Sequence, residues 1–166
     1  MKTQKTLFLL LTVTAMTLLF ACGQSNGDSN AESSSTAAPS ADATASADIN
    51  VDAKSDSKGI GKFTNVKLGP VDDAMAAKGM VVFNAKCSAC HKVTDQKVVG
   101  PGLLGVTKRR TPEWIMNQIT NPVEMEQKDP VGKALLEKHL TQMTFQNVTD
   151  DETRQILEYF RKNDSK

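Results

Sequence analysis

Large aromatic side chains are scarce in this chain: six Phe, one Tyr and one Trp in 166 residues. Aromatics dominate most cores, so something besides side chains is expected to help fill this one. Histidine occurs twice and cysteine three times, too few for a histidine-rich metal cluster or a disulfide framework. No convincing stretch alternates apolar and polar residues, and no segment repeats, which argues against sheets and solenoids. A basic face interleaved with stacking aromatics is also missing, so nucleic acid is not an expected partner. The formal net charge is only +1, but it conceals an asymmetry along the chain.

What is present begins with a basic start, Lys2 and Lys5, followed by a nearly unbroken apolar stretch from Leu7 to Phe20. That pattern reads as a secretion signal over residues 1–21, too short for a secure membrane span. It ends in Leu19-Phe20-Ala21-Cys22, which resembles a bacterial lipoprotein cleavage box and makes Cys22 the expected lipidation site. Phe20 is bulkier than the residue usual at that place. Residues 23–58 are rich in Ser, Ala, Asp, Asn and Thr, with no aromatic and only Ile49 and Val51 as larger apolars. Such a composition buries too little surface to offset chain entropy, so residues 22–58 are expected to form a disordered tether. On the order of 35 such residues have a root-mean-square reach of roughly 30–35 Å.

The folded part is expected over residues 59–166, where sixteen Lys or Arg face thirteen Asp or Glu. Its patterning is helical. Val71 to Ala85 opens on Asp72 and Asp73 and carries Met75, Met80, Val82 and Phe83 at roughly helical spacing. Lys97 to Lys108 is broken by Gly and Pro and reads as a loop. Thr111 is a candidate cap for a helix that Pro112 opens and Asn121-Pro122 ends. Pro130 to Leu140 is a further helix, with Val131, Ala134, Leu135 and Leu136 as candidate buried positions. Thr149 to Glu152 forms a capping box ahead of Ile156, Leu157, Tyr159 and Phe160. The expectation is an all-α domain of about four or five short helices.

The chemistry is concentrated in Cys87-Ser88-Ala89-Cys90-His91. Two thiols at this spacing can each add to one vinyl group of a haem, and the adjacent His then falls under the iron. A structural zinc would want four ligands, and His91 directly beside Cys90 is awkwardly placed to share one tetrahedral ion with it. A thioredoxin-like redox pair would need a βαβ context that is missing. One covalent haem c held by Cys87, Cys90 and His91 is therefore expected. It would also supply the missing core volume.

Around this motif the chain resembles the class I (mitochondrial-type) cytochrome c family over about residues 72–162. The residues that carry the resemblance are Gly79 and Phe83, Cys87, Cys90 and His91, Gly100-Pro101-Gly102-Leu103, and a Met ahead of the last helix. The resemblance implies a cytochrome c-like fold, with the first and last helices crossing where Gly79 faces Tyr159 or Phe160. It implies that the carbonyl of Pro101, beside Gly102, accepts a hydrogen bond from the proximal His91. It also implies an axial Met in the loop before the last helix, which is Met143, followed here by Thr144 where the family often has Pro. Met125 and His139 stay open as rivals for that sixth position. Arg109 or Arg110, together with Trp114, is expected to contact a haem propionate, a solvated basic turn with a core Trp being the bland alternative.

Taken together these features point to a one-electron carrier, not an enzyme, because iron held on both sides by protein has no open position. Its expected place is the periplasmic side of a bacterial membrane, as a lipid-anchored monomer. Its expected partners are a membrane-bound or periplasmic donor and a terminal reductase or oxidase. Lys86, Lys92, Lys97 and the Arg109-Arg110 pair would steer an acidic partner. The 109–114 run and the Asn121-Pro122 turn look like small lipoprotein cytochromes that accompany nitrous oxide reductase; cytochrome oxidase is the other expected acceptor. Two alternatives remain: a fixed haem subunit of a larger complex, and a five-coordinate haem that senses or processes a small ligand.

Overall fold

The structure, a computed structural model, describes residues 49–166. The expected signal segment, Cys22 and the tether as far as residue 48 lie outside them. Six helices and no strand occur among the described residues: α1 (Asp73–Lys86), α2 (Val106–Arg109), α3 (Pro112–Thr120), α4 (Pro122–Lys128), α5 (Pro130–His139) and α6 (Asp150–Asp164).

Local chemistry sets most of the boundaries. Asp72 caps α1 through the Met75 N–H, Thr111 caps α3 through the Trp114 N–H, and Asp129 caps α5 through the Gly132 N–H. Each side chain satisfies a donor that the first helical turn leaves orphaned. Thr149 and Glu152 close the capping box of α6 reciprocally. Two helices depart from the sequence expectation. Pro122 does end α3, but it also opens α4, because proline suits a first helical position whose N–H is unused anyway. The Gly/Pro loop contains the single turn α2.

The most extensive helix–helix contact is between α1 and α6. Gly79 makes it possible: a Cβ there would stand 2.0 Å from the carbonyl oxygen of Gln155. Its neighbour is thus the α6 backbone at Gln155 and Ile156, not the Tyr159 or Phe160 ring. Those rings lie one turn further along and pack on Phe83, with centroids 5.6 and 5.7 Å away. Close approach also explains why α1 buries small residues, Ala76 and Gly79, while Met80 and Val81 face solvent. Of the larger apolar residues at helical spacing on α1, Phe83 is buried, Met75 and Val82 are half-buried, and Met80 alone is exposed.

The folded part begins earlier than Gly59. Val51 is 7% exposed, and the guanidinium of Arg110 donates to the carbonyls of Val51 and Ala53. Ser57 Oγ donates to Asp129 Oδ2, and Asn117 Nδ2 donates to the carbonyls of Lys58 and Phe63. Residues 51–63 therefore run as a strap over α3 and the start of α5. Its anchors are backbone carbonyls, which composition does not reveal.

Candidate functional site

The C-terminal end of α1 delivers the motif. Cys87 is the C-cap, and its carbonyl accepts from the N–H groups of Cys90 and His91 at 3.1 and 2.9 Å. This tight turn brings Cys87, Cys90 and His91 to the wall of one cavity of about 560 Å³. Burial pushes the Cys87 thiol above its ordinary pKa, against the opposing effect of Lys86.

His91 is held from two sides. Its Nδ1 lies 3.0 Å from the carbonyl oxygen of Pro101. A Cβ on Gly100 would stand 2.3 Å from the ring Cε1, so the backbone of Gly100 grips the imidazole as only glycine can. With Nδ1 turned to the Pro101 carbonyl, Nε2 is the nitrogen left for a metal. Gly102 lines the same cavity and backs closely on the main chain of Thr94 and Asp95.

Of the three candidates for the sixth position, one lies apart from the cavity. Met125 is 0% exposed and its sulfur accepts the Ile60 N–H at 2.9 Å, beneath the strap and outside the cavity wall. Met143 and His139 both line the cavity. Met143 is the one residue of 140–147 that is not exposed, and Gln118 Nε2 donates to its sulfur at 3.7 Å. Burial, with Lys97 and Lys138 nearby, depresses the His139 pKa and favours its neutral imidazole. The Nδ1 of that ring is buried without a partner.

The expected polar contacts need one correction. The Trp114 indole N–H is not free for a propionate, because it donates to Asp129 Oδ1 at 2.9 Å in a buried position. Arg109 and Arg110 do line the cavity. Arg109 donates one N–H to the carbonyl of Leu104. Arg110 is 6% exposed, donates to backbone carbonyls only and forms no ion pair among the described residues. A buried guanidinium without a carboxylate suits an anionic group on the cavity side. Lys86 is engaged by Glu152 and the carbonyl of Asn147, which takes it out of the proposed steering set.

Two residues of the wall escaped the sequence reading. Gln118 follows Trp114 by four and Ile115 by three, so it sits on the buried face of α3, and that spacing is a legible signal. Glu126, on α4, accepts the Met143 N–H at 2.8 Å, and nothing in its neighbourhood announces it.

The cavity fits an iron porphyrin. Its wall joins two thiols and an imidazole to apolar side chains such as Phe83, Val106 and Ile119, and to Met143. Three buried polar atoms without partners, on Gln118, Glu126 and His139, belong to residues of this wall. Leu135 and Leu136, expected in the core, are only half-buried because they border the same space.

Comparison with known proteins agrees. Residues 76–164 match the cytochrome c family. A "Cytochrome c-553-like" protein of Synechocystis sp. is 32% identical over 69 residues. That match covers 39% of this chain and 66% of the relative, just under two thirds of its length. The solved cytochrome c from Rhodothermus marinus is 42% identical with a TM-score of 0.61, over 63% of this chain and 90% of that one. An engineered form of that protein, solved bound to a carbene intermediate, is 39% identical with a TM-score of 0.59, over 64% of this chain and 92% of its own. The chain thus belongs to the cytochrome c family, haem-bearing electron carriers, and its cofactor is covalently bound haem c.

Proposed function

We propose that this protein is a membrane-tethered one-electron carrier whose haem is attached through Cys87 and Cys90 and ligated by His91 and Met143. The observation that carries the reading is that His91 and Met143 line the cavity that both thiols border. When bound, the haem supplies an iron that gains and loses one electron. The chain supplies everything that keeps the chemistry at that. Pro101 and Gly100 orient His91, Gln118 and Glu126 hold Met143, and the strap buries Arg110 beside the cavity. A thioether on the metal favours the reduced state and raises the potential, as an electron carrier needs. With His91 and Met143 both holding the metal, no position on it would remain for a substrate.

Tethering rests on the Leu19-Phe20-Ala21-Cys22 box and on the linker composition that follows it. A lipid on Cys22 would hold the haem domain, as a monomer, at the periplasmic surface of a bacterial membrane. There it would pass electrons from a membrane-bound or periplasmic donor to a terminal reductase or oxidase. Nitrous oxide reductase and cytochrome oxidase are the acceptor classes proposed. Lys97 and Lys138, at the cavity wall, and exposed Lys92 are the cations available to attract an acidic partner.

Spectra of the matured protein test the site. The oxidised protein should show the far-red sulfur-to-iron band; Met143→Ala should abolish it and Met125→Ala should retain it. A band that survives Met143→Ala would overturn the ligand assignment. For the tether, Cys22→Ser should release the protein from the membrane fraction, and a lipid-bearing mass at Cys22 should be absent from that variant.

A further inference from the structure

Glu126 is a buried carboxylate, 6% exposed, on α4. No Lys, Arg or His among the described residues pairs with it. It makes one hydrogen bond: its Oε1 accepts the main-chain N–H of Met143 at 2.8 Å. Its Oε2 is buried without a partner. Burying a carboxylate for a single hydrogen bond is a poor exchange for the fold, since an apolar residue of similar volume would serve as well or better. The compensation has to lie in what that bond holds.

What it holds is an otherwise loosely supported loop. From Leu140 to Asn147 every residue but Met143 is exposed. Leu140 and Asn147, at the two ends, have φ of 53° and 51°, a left-handed conformation that non-glycine residues adopt at a cost. The other hydrogen bonds from this stretch to the body of the protein are Lys86 to the Asn147 carbonyl, the α5 cap at Leu140, the Thr141 hydroxyl to the His139 carbonyl at the end of α5, and Gln118 to the Met143 sulfur. Only the bond to Glu126 fixes the main chain at Met143 itself.

We propose that Glu126 is the positioning residue that latches the Met143 loop against the haem cavity and so keeps the distal face closed to outside ligands. This rests on the reading that the Met143 thioether ligates the iron. An acceptor at this place is required and a negative charge is not, so Glu126→Gln preserves the latch and Glu126→Leu removes it. Loss of a hydrogen bond of this kind corresponds to a factor of up to about ten.

The experiment compares matured wild type, Glu126→Gln, Glu126→Leu and Met143→Ala by far-red absorption, by imidazole titration of the oxidised protein and by urea unfolding. Glu126→Leu should weaken the sulfur-to-iron band and bind imidazole about tenfold more tightly, while a cooperative urea transition shows that the variant is folded. Glu126→Gln should retain both the band and wild-type imidazole affinity. Equal band and affinity in Glu126→Leu and wild type would overturn the latch while leaving the ligand assignment standing. Absence of the band from wild type, or its survival in Met143→Ala, would overturn both. Amide exchange at Met143 in the wild-type protein gives a readout that needs no variant. The Met143 N–H should be the protected amide of residues 141–146, and fast exchange there would likewise sink the latch.

Discussion

The indole N–H of Trp114 donates to Asp129 Oδ1 at 2.9 Å, and the same carboxylate oxygen caps α5 through the Gly132 N–H. The other oxygen accepts from Ser57 Oγ. One buried side chain thereby ties α3, α5 and the strap together. Trp114→Phe should leave the haem potential nearly unchanged, because its N–H points to Asp129. Asp129→Ala should lower stability by about 2–4 kcal/mol, through a lost cap and a stranded indole donor. Electrochemistry and urea unfolding check the two; a large potential shift in Trp114→Phe would restore a propionate contact.

The strap makes a prediction about truncation. A matured chain starting at residue 49 should unfold as the full-length chain does. One starting at Gly59 should lose several degrees of thermal midpoint, because Arg110 loses its carbonyls at Val51 and Ala53 and Asp129 loses Ser57. Equal midpoints for the two would return residues 49–58 to the tether.

At the helix crossing, Gly79→Ala should be costly despite alanine's better helix propensity. A methyl there meets the Gln155 carbonyl at 2.0 Å, and both partners are backbone, so the helices must separate. A loss of about 1–3 kcal/mol is expected in urea unfolding. A neutral or stabilising outcome would show that α1 and α6 cross elsewhere.

Glu152 should contribute to acid sensitivity, together with Asp52, Glu113 and Glu124, whose carboxyls are likewise held below their ordinary values. The Thr149 backbone N–H, then Lys86, hold the Glu152 carboxyl below the ordinary value of 4.5. A folded pKa below the unfolded one means the contribution is complete above about pH 4.5 and fades as pH falls toward the lower folded value. Glu152→Gln should therefore narrow the gap in thermal midpoint between pH 6 and pH 3. An unchanged gap would assign acid sensitivity to other carboxylates.

The heme-attachment motif, the caps at Thr111 and Thr149 and the all-helical pattern were legible because each is a local arrangement within a few residues. The Met143 loop came from family resemblance, and the cavity wall places it beside the motif. The misreadings share a cause. Met80 lies on the solvent side because the buried side of α1 is set by how closely α6 approaches, and Trp114, though it lines the cavity, commits its N–H to Asp129, fifteen residues away. The strap is invisible in composition because most of its anchors are main-chain carbonyls, which every residue carries.

Spacing along the chain was thus enough to name the cofactor and to point to the two thiols and the imidazole proposed to hold it, since covalent chemistry of this kind needs its groups adjacent. Which methionine reaches the cavity, which donors are already spent, and that a carboxylate on α4 grips the main chain of the distal loop were settled only in three dimensions. Those outcomes depend on contacts between segments far apart in sequence, where burial and competition for hydrogen bonds decide which partner each group takes.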